Sequence, residues 1–363
     1  MQTNTMRMTV LLLAVVVLAT VIGCTPPPRA VTADDFQILR SYGWDATIAD
    51  PQAAWNPDRY QVLARSAGGF VLLEEGGGKQ QYFASRHKYD TAFPMWINHY
   101  QFAFGPKQNV LTLEDGRIVA TNEGVSIVTV YTALSGKSLP DAPIPLTKYG
   151  YRPKVWGKNI VIASEQRIYV SDVYGTMGEF GPGFFPEPQR NGEGITWQEF
   201  PVLEKDHWSG VEGKRGNLYI RWKKGTTTLL ANAIEAKWTH NGGVIATVLR
   251  ADLLPGQPWW SVGTDVYYIA NAKSHPVLVA ADARTPAPHP TLPVCAVVGK
   301  TGAVNICGYD GAFRHQLAPI GDNPAWSHDG RRLLTEEPID EKPDTKYLRV
   351  VVFKTIDLTP KKK

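Results

Sequence analysis

The chain has 363 residues, 43% of them hydrophobic and 10% aromatic, and a formal net charge of +4. That mild balance, partly owed to a run of lysines at the end, does not argue for nucleic acid. No His-Glu-x-x-His, Cys-x-x-Cys, Gly-x-Ser-x-Gly or Walker spacing occurs, so none of the compact metal, nucleophile or phosphate motifs is present.

Residues 1–23 read as a targeting segment. Arg7 supplies a positive start, and residues 9–22 are an uninterrupted run of apolar residues, Thr and Ala, short for a membrane span and right for a signal core. The following Val21-Ile22-Gly23-Cys24 resembles the bacterial lipobox. The resemblance implies that Cys24 is lipidated and becomes the mature N-terminus. Thr25 in place of Asp after it favours the outer membrane, facing the periplasm. Thr25-Pro26-Pro27-Pro28-Arg29 is a stiff, extended tether, so residues 24–34 read as lipidated Cys and linker.

Residues 35–358 show an all-β pattern: short β-branched and aromatic runs, Gly and Pro throughout, and no long amphipathic helix. Phe36-Gln37-Ile38-Leu39-Arg40 alternates weakly and is available to pair with the last strands of the chain. Three stretches break the short-turn rhythm: residues 89–100 with Trp96 and His99, residues 175–194 with Phe184 and Phe185, and residues 251–260 with Trp259 and Trp260. Long loops often carry function, so these six residues are candidates for binding a partner or ligand. The alternative is that the aromatics fold down over strand edges and that His99 is a hydrogen-bonded loop residue.

Cys295 and Cys307 flank Lys300-Thr301-Gly302. A three-residue loop sets Gly299 opposite Ala303 and Cys295 opposite Cys307, the register of a cross-strand disulfide, which an oxidising compartment would favour. A two-residue loop would instead pair Cys295 with Ile306 and leave two buried thiols. Residues 359–363 are a basic tail.

One pattern recurs: a Trp, a polar turn with Asn or Asp before Gly, then an apolar strand. It is clearest in Pro324-Ala325-Trp326-Ser327-His328-Asp329-Gly330, and weaker around Trp238, Trp55 and Trp156, with Phe104 and Trp197 near the midpoints of the first two gaps between these tryptophans. A period of roughly 40–50 residues with several strands per unit is that of propeller blades. After residue 23 the chain suits seven blades, with six larger ones possible. The motif resembles that of the TolB-type β-propeller family, Pro-x-Trp-Ser-Pro-Asp-Gly, with His328 in place of the second Pro. Val128-Thr129-Val130-Tyr131-Thr132-Ala133-Leu134-Ser135-Gly136-Lys137 is similar to the quinoprotein-type repeats of BamB-like lipoproteins.

These resemblances imply a monomeric envelope scaffold, lipid-held at the membrane, that recruits an envelope protein or cell-wall glycan and needs no cofactor. The rival expectation is a secreted glycan hydrolase or lyase whose carboxylates, distant in sequence, converge at the propeller mouth. The paired carboxylates Asp34-Asp35, Glu74-Glu75 and Glu336-Glu337 do not supply such a site, since neighbours on a strand point to opposite faces.

Overall fold

A computed structural model describes residues 29–46, 52–66, 69–75, 81–84, 91–99, 101–106, 110–112, 118–120, 126–129, 144–145, 151–164, 167–172, 177–190, 192–199, 217–252, 261–339 and 345–356. Apart from one small hairpin, they form seven four-stranded antiparallel sheets. Sheet one is β2 (Ala54–Trp55), β3 (Gln61–Ser66), β4 (Gly69–Glu74) and β5 (Gln81–Ala84). Sheet two is β6 (Thr91–Asn98), β7 (Gln101–Pro106), β10 (Ser126–Thr129) and β11 (Ile144–Pro145), with the hairpin β8 (Val110–Thr112) and β9 (Ile118–Ala120) inserted. Sheet three is β12 (Tyr151–Trp156), β13 (Asn159–Ser164), β14 (Arg167–Ser171) and β15 (Met177–Pro182). Sheet four is β16 (Phe184–Pro188), β17 (Ile195–Gln198), β18 (Leu218–Arg221) and β19 (Thr227–Leu230). Sheet five is β20 (Ala233–Trp238), β21 (Val244–Leu249), β22 (Thr264–Ile269) and β23 (Val277–Ala280). Sheet six is β24 (Ala283–Pro288), β25 (Val294–Gly299), β26 (Val304–Gly308) and β27 (Arg314–Ala318).

Sheet seven joins the two ends of the chain. β28 (Asp322–Trp326), β29 (Arg332–Pro338) and β30 (Lys346–Phe353) are completed by β1 (Ile38–Ala46), which pairs antiparallel with β30. The N-terminal strand thus closes the last sheet, as its sequence predicts. First strands touch in unbroken succession: β2 with β6, β6 with β12, then β16, β20, β24, β28 and back to β2. A closed ring of radially stacked sheets is a β-propeller.

The apolar runs explain the stacking. Middle strands are buried on both faces, as in Val294–Gly299 and Val304–Gly308. Period-2 alternation then sends Val294 and Ala296 toward sheet seven, where Leu333, Val351 and Phe353 lie, and Cys295 and Val297 toward Ile245 and Val266 of sheet five. Burying each Val, Ile, Leu or Phe among them contributes about 1.5–3 kcal/mol. Every junction between neighbouring sheets has its own apolar cluster.

The repeat tryptophans stitch these junctions. Trp96 Nε1 donates to Ala54 O, Trp238 Nε1 to Glu187 O, Trp326 Nε1 to Ala287 O and Trp55 Nε1 to Ala325 O, at 2.9–3.1 Å. Each acceptor immediately precedes the equivalent residue of the sheet before. The repeat position is therefore Trp55, Trp96, Trp156, Pro188, Trp238, Pro288 and Trp326. Phe104 and Trp197 are not copies of it: they lie on the second strands β7 and β17.

The turn that follows is built as its sequence predicts. Ser327 Oγ donates to Asp329 Oδ1 at 2.7 Å, Asp329 Oδ1 accepts Arg331 N, and Gly330 takes φ 70°. His328, where the resembled motif has Pro, stacks on Tyr60 of sheet one at 5.5 Å. The same Tyr60 donates to Asp329 Oδ2 at 2.8 Å, and the Arg332 guanidinium lies 3.2 Å from its ring centre. The strong motif copy thus fastens sheet seven to sheet one.

Three expectations need correction. Residues 91–98 and 177–188 are strands rather than long loops. Cys295 and Cys307 stand opposite each other, in the register of the three-residue loop, but as two buried free thiols without a bond. The reason lies in the ladder. Gly299 N donates to Ala303 O and Tyr309 N to Pro293 O, which by alternation makes Cys295–Cys307 a hydrogen-bonded pair. Side chains at such pairs stand farther apart than at the intervening ones. Burial pushes both thiols up, Cys307 to about 11.

Candidate binding groove

Sheet four presents one face toward sheet three. Along β17 and β18, Ile195 pairs with Arg221 and Trp197 with Tyr219, so their side chains share that face. Glu199 N donates to Asn217 O, which continues the pairing one rung further. Ile195 packs with Val161 and Ile168 of sheet three. Beyond it the two sheets part, and a cavity of about 620 Å³ opens, lined by Phe180, Phe184, Trp197, Glu199, Tyr219 and Arg221 among others.

The floor is aromatic. Trp197 and Tyr219 stack at 5.5 Å with their planes 19° apart, and Phe180 meets Trp197 edge-on at 5.4 Å. The Arg221 guanidinium carbon lies 5.5 Å from the Phe180 ring centre. At the other end, Asn217 Nδ2 donates to Glu199 Oε2 at 2.8 Å. Leu229, opposite Tyr219 on the edge strand β19, is 55% exposed and extends the apolar rung outward.

Beside the groove the chain crosses from the outermost strand of sheet three, β15, directly to the innermost strand of sheet four, β16, through Gly183. A Cβ at Gly183 would stand 2.5 Å from Trp197 Cδ1, so the crossing lies tight against the indole. At Gly181 and Gly225, which also line the cavity, nothing lies within 4 Å of the place a Cβ would occupy.

Of the sequence-predicted residues, Phe184 lines this groove. Phe185 sits next to it, half-buried, at φ 46°. Its backbone belongs to the repeat rather than to a site: Gln52, Thr285 and Asn323 have φ of 45°, 50° and 45°, each three residues before its repeat position, as Phe185 is before Pro188. Trp96 is a correction. It is 3% exposed and bonded to Ala54 O, so it is core and not a partner contact. His99 ends the turn after β6. Its carbonyl accepts from Asn56 Nδ2 at 3.0 Å and its Nδ1 lies 3.4 Å from Asp58 Oδ2. Trp259, Trp260 and Cys24 lie outside the described residues. Sequence reasoning missed Glu199, Tyr219 and Arg221; the alternation of Leu218-Tyr219-Ile220-Arg221 carries the signal, but only beside β17.

The ring of first strands was the other expected place for chemistry. Its carboxylates are engaged between sheets. Glu187 lies 3.1 Å from both Lys154 and Lys237, and Asp322 is 2.8 Å from Arg284. Burial pushes the Glu187 carboxyl up, but the two ammonium groups outweigh it and hold it below its ordinary value. Glu235 accepts from Thr247 Oγ1 at 2.8 Å and Thr285 N at 2.7 Å, and burial pushes its carboxyl up. Among the described residues no group of three or more His, Cys, Asp or Glu is placed to hold a metal, and no helix is long and apolar enough to cross a membrane.

No family model matches the chain, and no curated protein matches it. Solved structures do. A chain of the mitotic checkpoint complex is 11% identical with a TM-score of 0.56, over 92% of this chain and 99% of that one. The U3-55K structure is 11% identical with a TM-score of 0.53, over 90% and 100%. The structure of YCF48 bound to D1 peptide is 11% identical with a TM-score of 0.51, over 90% and 100%. The WD40 repeats of RRP9 match over similar spans. At such identities the likeness is one of fold, and the fold is the β-propeller of WD40 proteins.

Proposed function

We propose that this chain is a TolB-type envelope scaffold, held by a lipid on Cys24 at the periplasmic side of the outer membrane, that recruits an envelope protein or polymer through the groove of sheet four. The observation that carries the binding role is the open aromatic groove on a closed ring. A rigid frame that leaves Trp197, Tyr219 and Leu229 reachable presents ready-made anchors at little entropic cost. One compared propeller was solved with a bound peptide, which accords with such use. The lipobox and the Trp-Ser-His-Asp-Gly turn support the envelope placement. The rival enzyme reading has less to stand on, because the first-strand carboxylates named above are engaged with cations or hydrogen-bond donors.

The test is in-cell crosslinking and capture of the lipidated protein, beside Trp197→Ala and Phe184→Ala. A specific envelope partner that disappears in the variants is expected. A folded, correctly located wild type that captures nothing would overturn the scaffold role.

A further inference from the structure

The groove's charges point to the class of ligand. We infer that it takes an extended peptide strand, with a basic side chain at the Glu199 end, an apolar one over Trp197 and Tyr219, and an acidic one at the Arg221 end. This rests on the scaffold reading and narrows it.

Three observations carry it. Glu199 and Arg221 stand at opposite ends of one sheet face, on rungs four residues apart, roughly 13 Å at about 3.3 Å per residue. In an extended ligand, residues i, i+2 and i+4 point the same way and span that same length, so one face of a five-residue strand meets both charges and the ring floor between them. Opposite charges at fixed ends favour a ligand of matching polarity, which sets its direction. Finally, the open space at Gly181 and Gly225 lets a ligand backbone come close to the groove wall, where any side chain would hold it off. A neutral glycan would use the rings but gain nothing from the charge polarity.

The experiment titrates the full chain with Ac-Arg-Thr-Leu-Thr-Asp-NH2 and with the neutral Ac-Gln-Thr-Leu-Thr-Asn-NH2, read by calorimetry and tryptophan fluorescence. The charged peptide is expected to bind about tenfold more tightly or better, the worth of one good charge pair. Glu199→Lys should reverse the preference, in favour of Ac-Asp-Thr-Leu-Thr-Asp-NH2. Thr227→Tyr, an exposed change that fills the outer end of the groove, should abolish binding while the circular dichroism spectrum stays that of wild type. Equal binding of charged and neutral peptides, no binding of either, or binding untouched by Thr227→Tyr would each overturn the inference. Chitotetraose binding that is indifferent to Glu199→Lys would overturn it in favour of a glycan. A partner captured in cells and retained by Glu199→Lys would sink this inference and leave the scaffold standing. Absence of any captured partner would sink the scaffold instead.

Discussion

Beneath Trp326, His289 is held neutral. Its Nδ1 accepts from Thr291 N and Leu292 N at 3.2 and 3.1 Å, so Nε2 carries the proton and donates to Gly330 O at 3.1 Å. Burial pushes its pKa down to about 4. Unfolded, it titrates near 6.5. Above that pH both states are neutral and stability is unaffected. As pH falls from 6.5 toward 4, the unfolded chain takes up a proton that the fold refuses, and about 3 kcal/mol is lost. Asn56 offers the control, since its Oδ1 accepts from Asp58 N and Arg59 N at the equivalent turn of sheet one. His289→Asn is expected to be less stable than wild type at pH 7 and to close that gap by about 3 kcal/mol by pH 4, measured by urea unfolding. A gap independent of pH would show that His289 is not the titrating group. At this scale the sequence is legible where a residue has one task. The indole of the repeat Trp announced itself at four sites. Pro188 and Pro288 hold the same position without an N–H to give, and so hid two copies.

The outermost and innermost strands of each sheet are its edges, and this explains the strands that looked like loops. Pro cannot donate to a ladder, so it settles on edges. Here Pro94, Pro153, Pro186, Pro286 and Pro324 all lie on first strands, and Pro182 ends the outer strand β15. A reader of the sequence takes Gly181-Pro182-Gly183 for a loop, because nothing local says that the segment is an edge. The closing strand was legible for the opposite reason: it alternates. It is also closely fitted. Gly43 of β1 lies so close to β30 that a Cβ would stand 2.1 Å from Leu348 O and 2.7 Å from the Tyr347 ring. Gly43→Val is therefore expected to dislodge β1, lowering stability by about 2–3 kcal/mol. Hydrogen exchange should speed up first at the amides of β30; unchanged protection there would show that β1 does not fasten the ring.

For the molecule as a whole, the repeat spacing gave away the propeller, but no spacing could give the groove. Its walls come from sheets three and four, and its two charges are polar residues on or just beyond ordinary strands, unremarked until the strands are paired. The proposed anchoring is a whole-molecule property with its own check. Cys24→Ser should leave the leader attached, raise the mass of the isolated protein accordingly and change its membrane fractionation. A protein of unchanged mass and location would rule out lipidation at Cys24.

The shared sheet also sets a timetable. Among the described strands β1 is the first to be synthesised and β30 the last, yet they are partners, and Lys354 N still reaches back to Gln37 O. No matter how early the inner sheets assemble, β1 has no partner strand until β30, which begins at Lys346, has been made. Completion is therefore a late, long-range step, slow by the measure of loop closure. Until then both end sheets expose apolar flanks, and for that interval the newborn chain depends on whatever keeps unfinished proteins apart.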